Sequence, residues 1–324
     1  PFLVPSRTQR FTIFHYMMLF REFNMVKTKD NKEKSRKIKK SGEDYLVDII
    51  AYAFVTILAV TIILPFLQVI TISVSPSSVV NAYGFHLYPK QFDFSGYKRI
   101  VSDKLFWHSY LITILRTVIG TSLAVFCTAV MAYPLSIQKL PYRSGIMKFI
   151  VFTMYFSGGL IPTYLLIRGI GLYNNFLVYI IPSIISAYNL IIIRNYYMSV
   201  PRSLEESAEI DGATGMQVLI KIMIPLSKPV LATVALWVAV GHWNSWQDNM
   251  IYVTNKKLFV SQYVLQMILK SGQTQDMEMT TDVVVHTETM KMAALVLTMI
   301  PIVCVYPFVQ KYFVKGIMMG SLKG

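Results

Sequence analysis

Four carboxylates, Glu205, Glu206, Glu209 and Asp211, crowd into one short segment of a chain that is otherwise poor in acids. Acids at that density can act as general acids and bases or present a charged face to a partner. Catalysis at a membrane surface, as in an integral-membrane glycosyltransferase, would need a carboxylate or histidine constellation. This cluster is the only dense acidic one, and His86, His108, His242 and His286 are scattered without metal-ligand spacing. No Gly-x-x-x-x-Gly-Lys-Ser/Thr phosphate loop is present, so ATP hydrolysis would have to come from a separate chain.

The segment Pro201 to Pro225 reads instead as two short helices joined by a tight turn. Ser203 followed by Glu206 has the spacing of a capping box, which predicts a helix from Leu204. Glu205 and Glu206 suit the positive end of that helix. Gly212, after Asp211, can take the left-handed conformation that ends it. Thr214 and Gln217 form a second capping box, and Pro225 ends or bends the second helix. Leu204, Ala208 and Ile210 are expected to give the first helix an apolar side. Anionic lipid headgroups would repel the four acids, so a protein with a complementary cleft is the expected partner.

Polar residues also punctuate the apolar runs. Phe156-Ser157-Gly158-Gly159 with Pro162 interrupts one, Pro182 and Asn189 mark another, and Gly241, His242 and Asn244 a third. Polar or broken backbone at membrane depth is tolerated only against protein or a water-filled cavity. Tight packing through small residues is the alternative for Gly158 and Gly159. Trp243, Asn244 and Trp246 offer aromatic faces and an amide, which suit sugar rings and hydroxyls; an interfacial aromatic belt is the competing account. Arg116 lies well inside its run, where a structural ion pair or snorkelling ranks above ligand contact.

The elements that position these residues are six apolar stretches, 49–73, 109–133, 146–167, 175–193, 229–246 and 290–309, near the length a bilayer core requires. All 17 acids lie outside them. An ion-coupled carrier normally keeps acids inside its spans as relays, which ranks that class far lower. Hydrophobic residues make up 54% of the chain and charged residues 15%, against about 25% charged for soluble domains. Net charge is +14, but 11 of the 31 Lys and Arg lie in residues 1–48, so the excess forms a tail and not a nucleic-acid groove. Cys127 and Cys304 sit in apolar runs and give no disulfide framework. The basic residues favour the side that holds both ends of the chain, which predicts cytoplasmic termini, a cytoplasmic loop 194–228 and outer loops 74–108 and 247–289. The domain reading is therefore a basic tail, 1–48, followed by a membrane domain, 49–324. For residues 1–24, aromatic and basic, two readings stay open: a stretch upstream of a native start at Met25, or an interfacial segment from Phe11 to Phe23.

The spacing Glu206-Ser207-Ala208, Gly212, Ile222-Met223-Ile224-Pro225 resembles the cytoplasmic loop motif of permease subunits of binding-protein-dependent ABC importers. Ser207 and Ile224 stand where the motif has Ala and Leu. The resemblance extends from about Val47 to Gly324. Ala132-Tyr-Pro-Leu-Ser136, Phe156 to Tyr164, Ser227 to Ala232 and Gly241 to Trp246 look like the carbohydrate-uptake class, near oligosaccharide and aldouronate permeases and the smaller maltose-importer permease. It implies an all-α membrane protein with six transmembrane helices and the type I importer fold, working by alternating access. It implies a second permease subunit, two ATPase subunits that bind the ATP and magnesium, an extracellular sugar-binding protein and a sugar or oligosaccharide substrate. This chain itself would hold no cofactor. Ser203, Glu205, Glu206, Ala208, Asp211, Gly212 and Pro225 would couple to the ATPase, and Met319, Gly320, Leu322, Lys323 and Gly324 would reach towards it. Phe156, Asn189, Trp243, Asn244 and Trp246 would line the path, and Gly272, Gln273 and Thr274 would meet the binding protein.

Overall fold

A computed structural model describes residues 42–83, 87–271 and 288–321. Residues 1–24, Gly272, Gln273, Thr274, Leu322, Lys323 and Gly324 lie outside them. The described residues are mostly helical and contain no strand. The chain divides into two units at Ile63/Leu64, inside the first helix, α1 (Gly42–Ser73). Up to Ile63 the described part is this helix alone, with side chains such as Ile49, Tyr52, Phe54 and Ile57 exposed. That suits a helix sheathed in lipid, whose solvent is as apolar as its side chains.

The second unit holds α2 (Ser77–Tyr83), α3 (Ser95–Val101), α4 (Lys104–Ser136), α5 (Arg143–Tyr155), α6 (Leu160–Gly169) and α7 (Ala187–Ser199). After them come α8 (Ser203–Ile210), α9 (Gly215–Leu226, with a π-helical stretch Leu219–Met223), α10 (Lys228–Asn244), α11 (Gln247–Tyr252), α12 (Ser261–Ser271) and α13 (Glu288–Ser321). By length and apolarity α1, α4 and α13 can each cross a membrane unbroken. Three bent pairs account for the other expected spans. The α5–α6 pair turns by 113°, the 3₁₀ turns of 176–183 meet α7 at 50°, and α9 meets α10 at 80°.

The first of these bends falls on the Phe156–Gly159 interruption. Gly159 adopts φ +86°, and Thr163 returns both its N–H and its hydroxyl to the Gly159 carbonyl. Gly158 and Gly159 are exposed, and a methyl group on Gly159 would meet nothing within 4 Å. Neither glycine is crowded within the chain; the left-handed backbone of Gly159 serves the bend.

The long central helix α4 packs most extensively against α10 and α7. At one end Ala132, Tyr133 and Leu135 join Leu190, Ile193, Tyr197, Val218, Leu219 and Met223 in a core beneath the α8–α9 segment. At the other end Ile112 joins Tyr179, Tyr252, Val253, Phe259 and Val260. A third core joins Ile100 and Phe106 to Leu265, Met290, Ala293 and Ala294. The stretch 247–289 lies between the last two apolar stretches; up to Ser271 it is largely helical, and α12 packs on α4 and α13.

Between the cores, α4 and α10 approach closely at Gly120. A Cβ there would lie 2.5 Å from Nε2 of the buried His242. Overpacking of this kind costs about 1–3 kcal/mol. Gly120→Ala should lower the melting temperature of the purified protein, and adding His242→Ala should restore part of the loss. An unchanged melting temperature for Gly120→Ala would show that α4 and α10 do not pack this tightly.

Candidate functional site

The α8–α9 segment forms a helical elbow whose turn is fully hydrogen-bonded. Gly212 has φ +81°, a region that glycine enters without steric cost. Its N–H donates to the Glu209 carbonyl at 3.0 Å, and the Ala213 N–H donates to the Ala208 carbonyl at 2.9 Å. These two bonds are the Schellman pattern that closes a helix end. The second capping box is also present. The Gln217 N–H donates to the Thr214 hydroxyl at 3.4 Å, and the Thr214 N–H donates to Gln217 Oε1 at 2.9 Å.

The first capping box is not formed. α8 starts at Ser203, one residue earlier than expected, and Arg202 stands at its N-cap with no side-chain cap. The Leu204 N–H already bonds the Pro201 carbonyl, so the first turn begins at the proline, whose fixed φ suits that position. Ser203 is thereby drawn inside the helix, where its carbonyl accepts from the Ser207 hydroxyl at 2.7 Å. Glu206 is left exposed and free to face a partner.

The expected apolar side of α8 also needs correction. Ala208 packs inward against the core around Tyr133 and Tyr197, whereas Ile210 points away and is 86% exposed. Leu204 and Ala208 are four residues apart and share a face; Ile210 falls on another. Met216 and Ile220 are also exposed. The outer surface of the elbow thus combines apolar Ile210, Met216 and Ile220 with exposed Glu206, Glu209 and Asp211. Glu205 is half-buried in a cleft with Ser136, Lys139, Tyr197 and Arg202. Burial holds its carboxyl above the ordinary carboxylate range; Arg202 opposes this, and Glu209 and Glu206 add to it. Pro225 is exposed at the end of α9, just before the 80° bend. Met319 and Gly320 lie in the last turn of α13.

The five residues assigned to a path make their contacts in separate places. Phe156 is exposed at the α5–α6 bend and stacks on Phe152. Asn189 is buried in the first turn of α7. Trp243 is buried in its own bundle: its ring meets Tyr110 edge-on, and its Nε1–H donates to the Thr298 carbonyl at 3.4 Å. Asn244 is exposed, and Trp246 is half-buried with the Lys270 ammonium 5.3 Å from its ring centre.

Arg116 has the ion pair expected of a charge at membrane depth. It is 3% exposed and binds Asp248 through both terminal nitrogens. Nη1 also donates to the Ser245 carbonyl at 3.1 Å, and the guanidinium lies 4.7 Å from the centre of the Tyr179 ring. The Ser245 hydroxyl and the Asn249 N–H donate to Asp248 Oδ1. Tyr179 in turn donates to the Leu258 carbonyl at 2.7 Å. Asp248 and Tyr179 were not singled out from the sequence. The available signal was position: Asp248 follows the last residue of the fifth apolar stretch almost directly, so it is an acid at a span end.

Comparison with known proteins places this architecture. The family model for "Binding-protein-dependent transport system inner membrane component" matches residues 44–319. The polygalacturonan/rhamnogalacturonan transport system permease protein YtcP of Bacillus subtilis is 39% identical over 86% of this chain and 99% of its own length. Protein LplC of the same organism is 39% identical over 81% of this chain and 90% of its own. Among solved structures, a chain of a bacterial ABC transporter involved in the import of the acidic polysaccharide alginate superposes with a TM-score of 0.77. It has 33% identity and covers 86% of this chain and 100% of that one. A helical elbow between bent membrane helices, on a chain matched from residue 44 to residue 319, makes this protein a member of the binding-protein-dependent transport system inner membrane component family.

Proposed function

We propose that this permease imports an oligosaccharide by alternating access, together with a second permease subunit, an extracellular sugar-binding protein and two ATPase subunits that bind ATP and magnesium. The elbow carries the reading. It is a preformed helix–turn–helix, held from beneath by Tyr133 and Tyr197, with Ile210, Met216 and Ile220 exposed beside acids. Exposed apolar side chains on a rigid, charged projection are costly in water and match a partner's cleft. Closure of the ATPase pair on ATP would push on α8 and reach α4, α7 and α10 through the core beneath it. The relatives named for polygalacturonan, rhamnogalacturonan and alginate favour an acidic sugar chain as the substrate class. The bias of basic residues supports a cytoplasmic position for both termini and the elbow. Gly272, Gln273 and Thr274 remain the proposed contact for the binding protein, and the last residues, Leu322 to Gly324, the proposed reach towards the ATPase.

One labelling experiment tests both orientation and docking. Cys127 and Cys304 are replaced by Ser and Ile210 by Cys, and a membrane-impermeant thiol reagent is applied to vesicles of both orientations. Inside-out vesicles should label and right-side-out vesicles should not. Adding the ATPase subunits should protect the thiol. Labelling from the outside sinks the orientation, and labelling unchanged by the ATPase sinks the docking surface.

A further inference from the structure

We propose that the start of α5 is a binding site for the phosphate of an anionic phospholipid, an inference that goes beyond the transport reading and does not depend on its substrate. Arg143 and Arg194 line one open cavity of about 510 Å³ with Gln138, Tyr142, Ser144 and Met147, and none of the lining side chains is acidic. Neither arginine has a carboxylate partner among the described residues, where the ion pairs are Arg116–Asp248 and Lys291–Glu288.

Arg194 is fixed in place. Its Nε donates to the Leu135 carbonyl at 2.8 Å and one Nη to Asn195 Oδ1 at 3.1 Å. Arg143 makes only a soft contact to Met198 Sδ at 3.4 Å, which leaves most of its fork unused. Tyr142 holds the left-handed conformation at φ +57° and gives α5 no side-chain cap; Arg143 and Ser144, which open the helix, line the same cavity. Two half-buried guanidiniums over an uncapped helix start form a strongly positive pocket, and arginine forks match phosphate oxygens in pairs.

The surroundings of the pocket favour a lipid as the source of the phosphate. Beyond it α5 presents exposed Ile146, Phe149 and Phe152, a surface fit for acyl chains. Tyr142, 88% exposed, sits where a headgroup-level aromatic belongs. Basic pockets between membrane helices at this level are the kind that hold anionic headgroups. The pocket shares Gln138 with the cleft that holds Glu205, which puts it at the elbow's end of the bundle. An anionic lipid there would steady the α4–α5 junction next to the part that moves on coupling.

Native mass spectrometry of the purified full-length permease with its sibling subunit tests this, using phosphatidylglycerol and phosphatidylcholine as probes. Wild type should retain phosphatidylglycerol in preference to phosphatidylcholine. Arg143→Gln should cut that preference roughly fivefold, the weight of one basic side chain near an anionic lipid. Lys148→Gln removes an equal charge from the same helix outside the cavity and should leave the preference unchanged. Equal retention of the two lipids by wild type overturns the site, as does an equal effect of the two substitutions. Complete displacement of phosphatidylglycerol by millimolar inorganic phosphate overturns the lipid assignment in favour of a free anion. If Arg143→Gln fails to assemble with its sibling, the wild-type comparison of the two lipids decides alone.

Discussion

Gly212→Val should enter the membrane in normal amounts yet lose sugar uptake by about tenfold or more, together with co-purification of the ATPase. A β-branched residue at φ +81° is strained, and the left-handed region costs an ordinary L-residue about 1–2 kcal/mol. The space around the site is open: a Cβ at Gly212 meets nothing within 4 Å. The cost is therefore conformational. It falls on the Schellman bonds from Gly212 and Ala213 and not on the transmembrane core. Gly212→Asn supplies the internal control, since asparagine tolerates the left-handed region far better and should retain most uptake. If valine and asparagine behave alike, the backbone conformation at this turn is not what the ATPase reads. Glu206→Ala gives a cleaner contact test than a capping role would have allowed. Glu206 is exposed and caps nothing, so any loss of assembly in that variant reports a contact with the partner.

How far the sequence spoke differs from one element to the next. The elbow was legible because its determinants are local: Gly212 needs a positive φ, and Thr214 with Gln217 needs only three residues of spacing. The start of α8 failed for a local reason too, because Pro201 began the turn before Ser203 could cap it. The interruption at Phe156–Gly159 was visible as composition, but its 113° bend was not, since a bend angle is set by what the two arms pack against. The inward turn of Trp243 was equally hidden, because it is set by the approach of Tyr110 and Thr298 from distant parts of the chain. The 247–271 stretch was hardest to read. α12 carries a clear amphipathic period of its own, but its partners α4 and α13 lie far along the chain, and periodicity does not name them.

Arg116→Met and Asp248→Asn should each destabilise the protein sharply, and the double variant should recover much of the loss. Arg116 is nearly inaccessible, and its strongest partner is a carboxylate 132 positions along the chain. Removing one member of a buried pair strands the other charge and typically costs about 3–5 kcal/mol; that range applies to Asp248→Asn, which strands the buried Arg116, whereas Arg116→Met strands a partly exposed carboxylate and should cost less. Removing both leaves neutral side chains of similar bulk, a change that is often close to neutral. Thermal melting of the purified permease reads this directly, and the difference between the double variant and the sum of the singles gives the coupling. The pair ties α4 to the start of α11, so its loss should also free the Trp246 corner from the rest of the bundle. Uptake measured beside melting separates two roles for Arg116. If both singles are unstable and the double recovers stability and uptake together, the arginine is a fastening. If Arg116→Met melts like wild type but no longer transports, the guanidinium faces the moving substrate. An acidic sugar chain is the ligand that such a charge would serve.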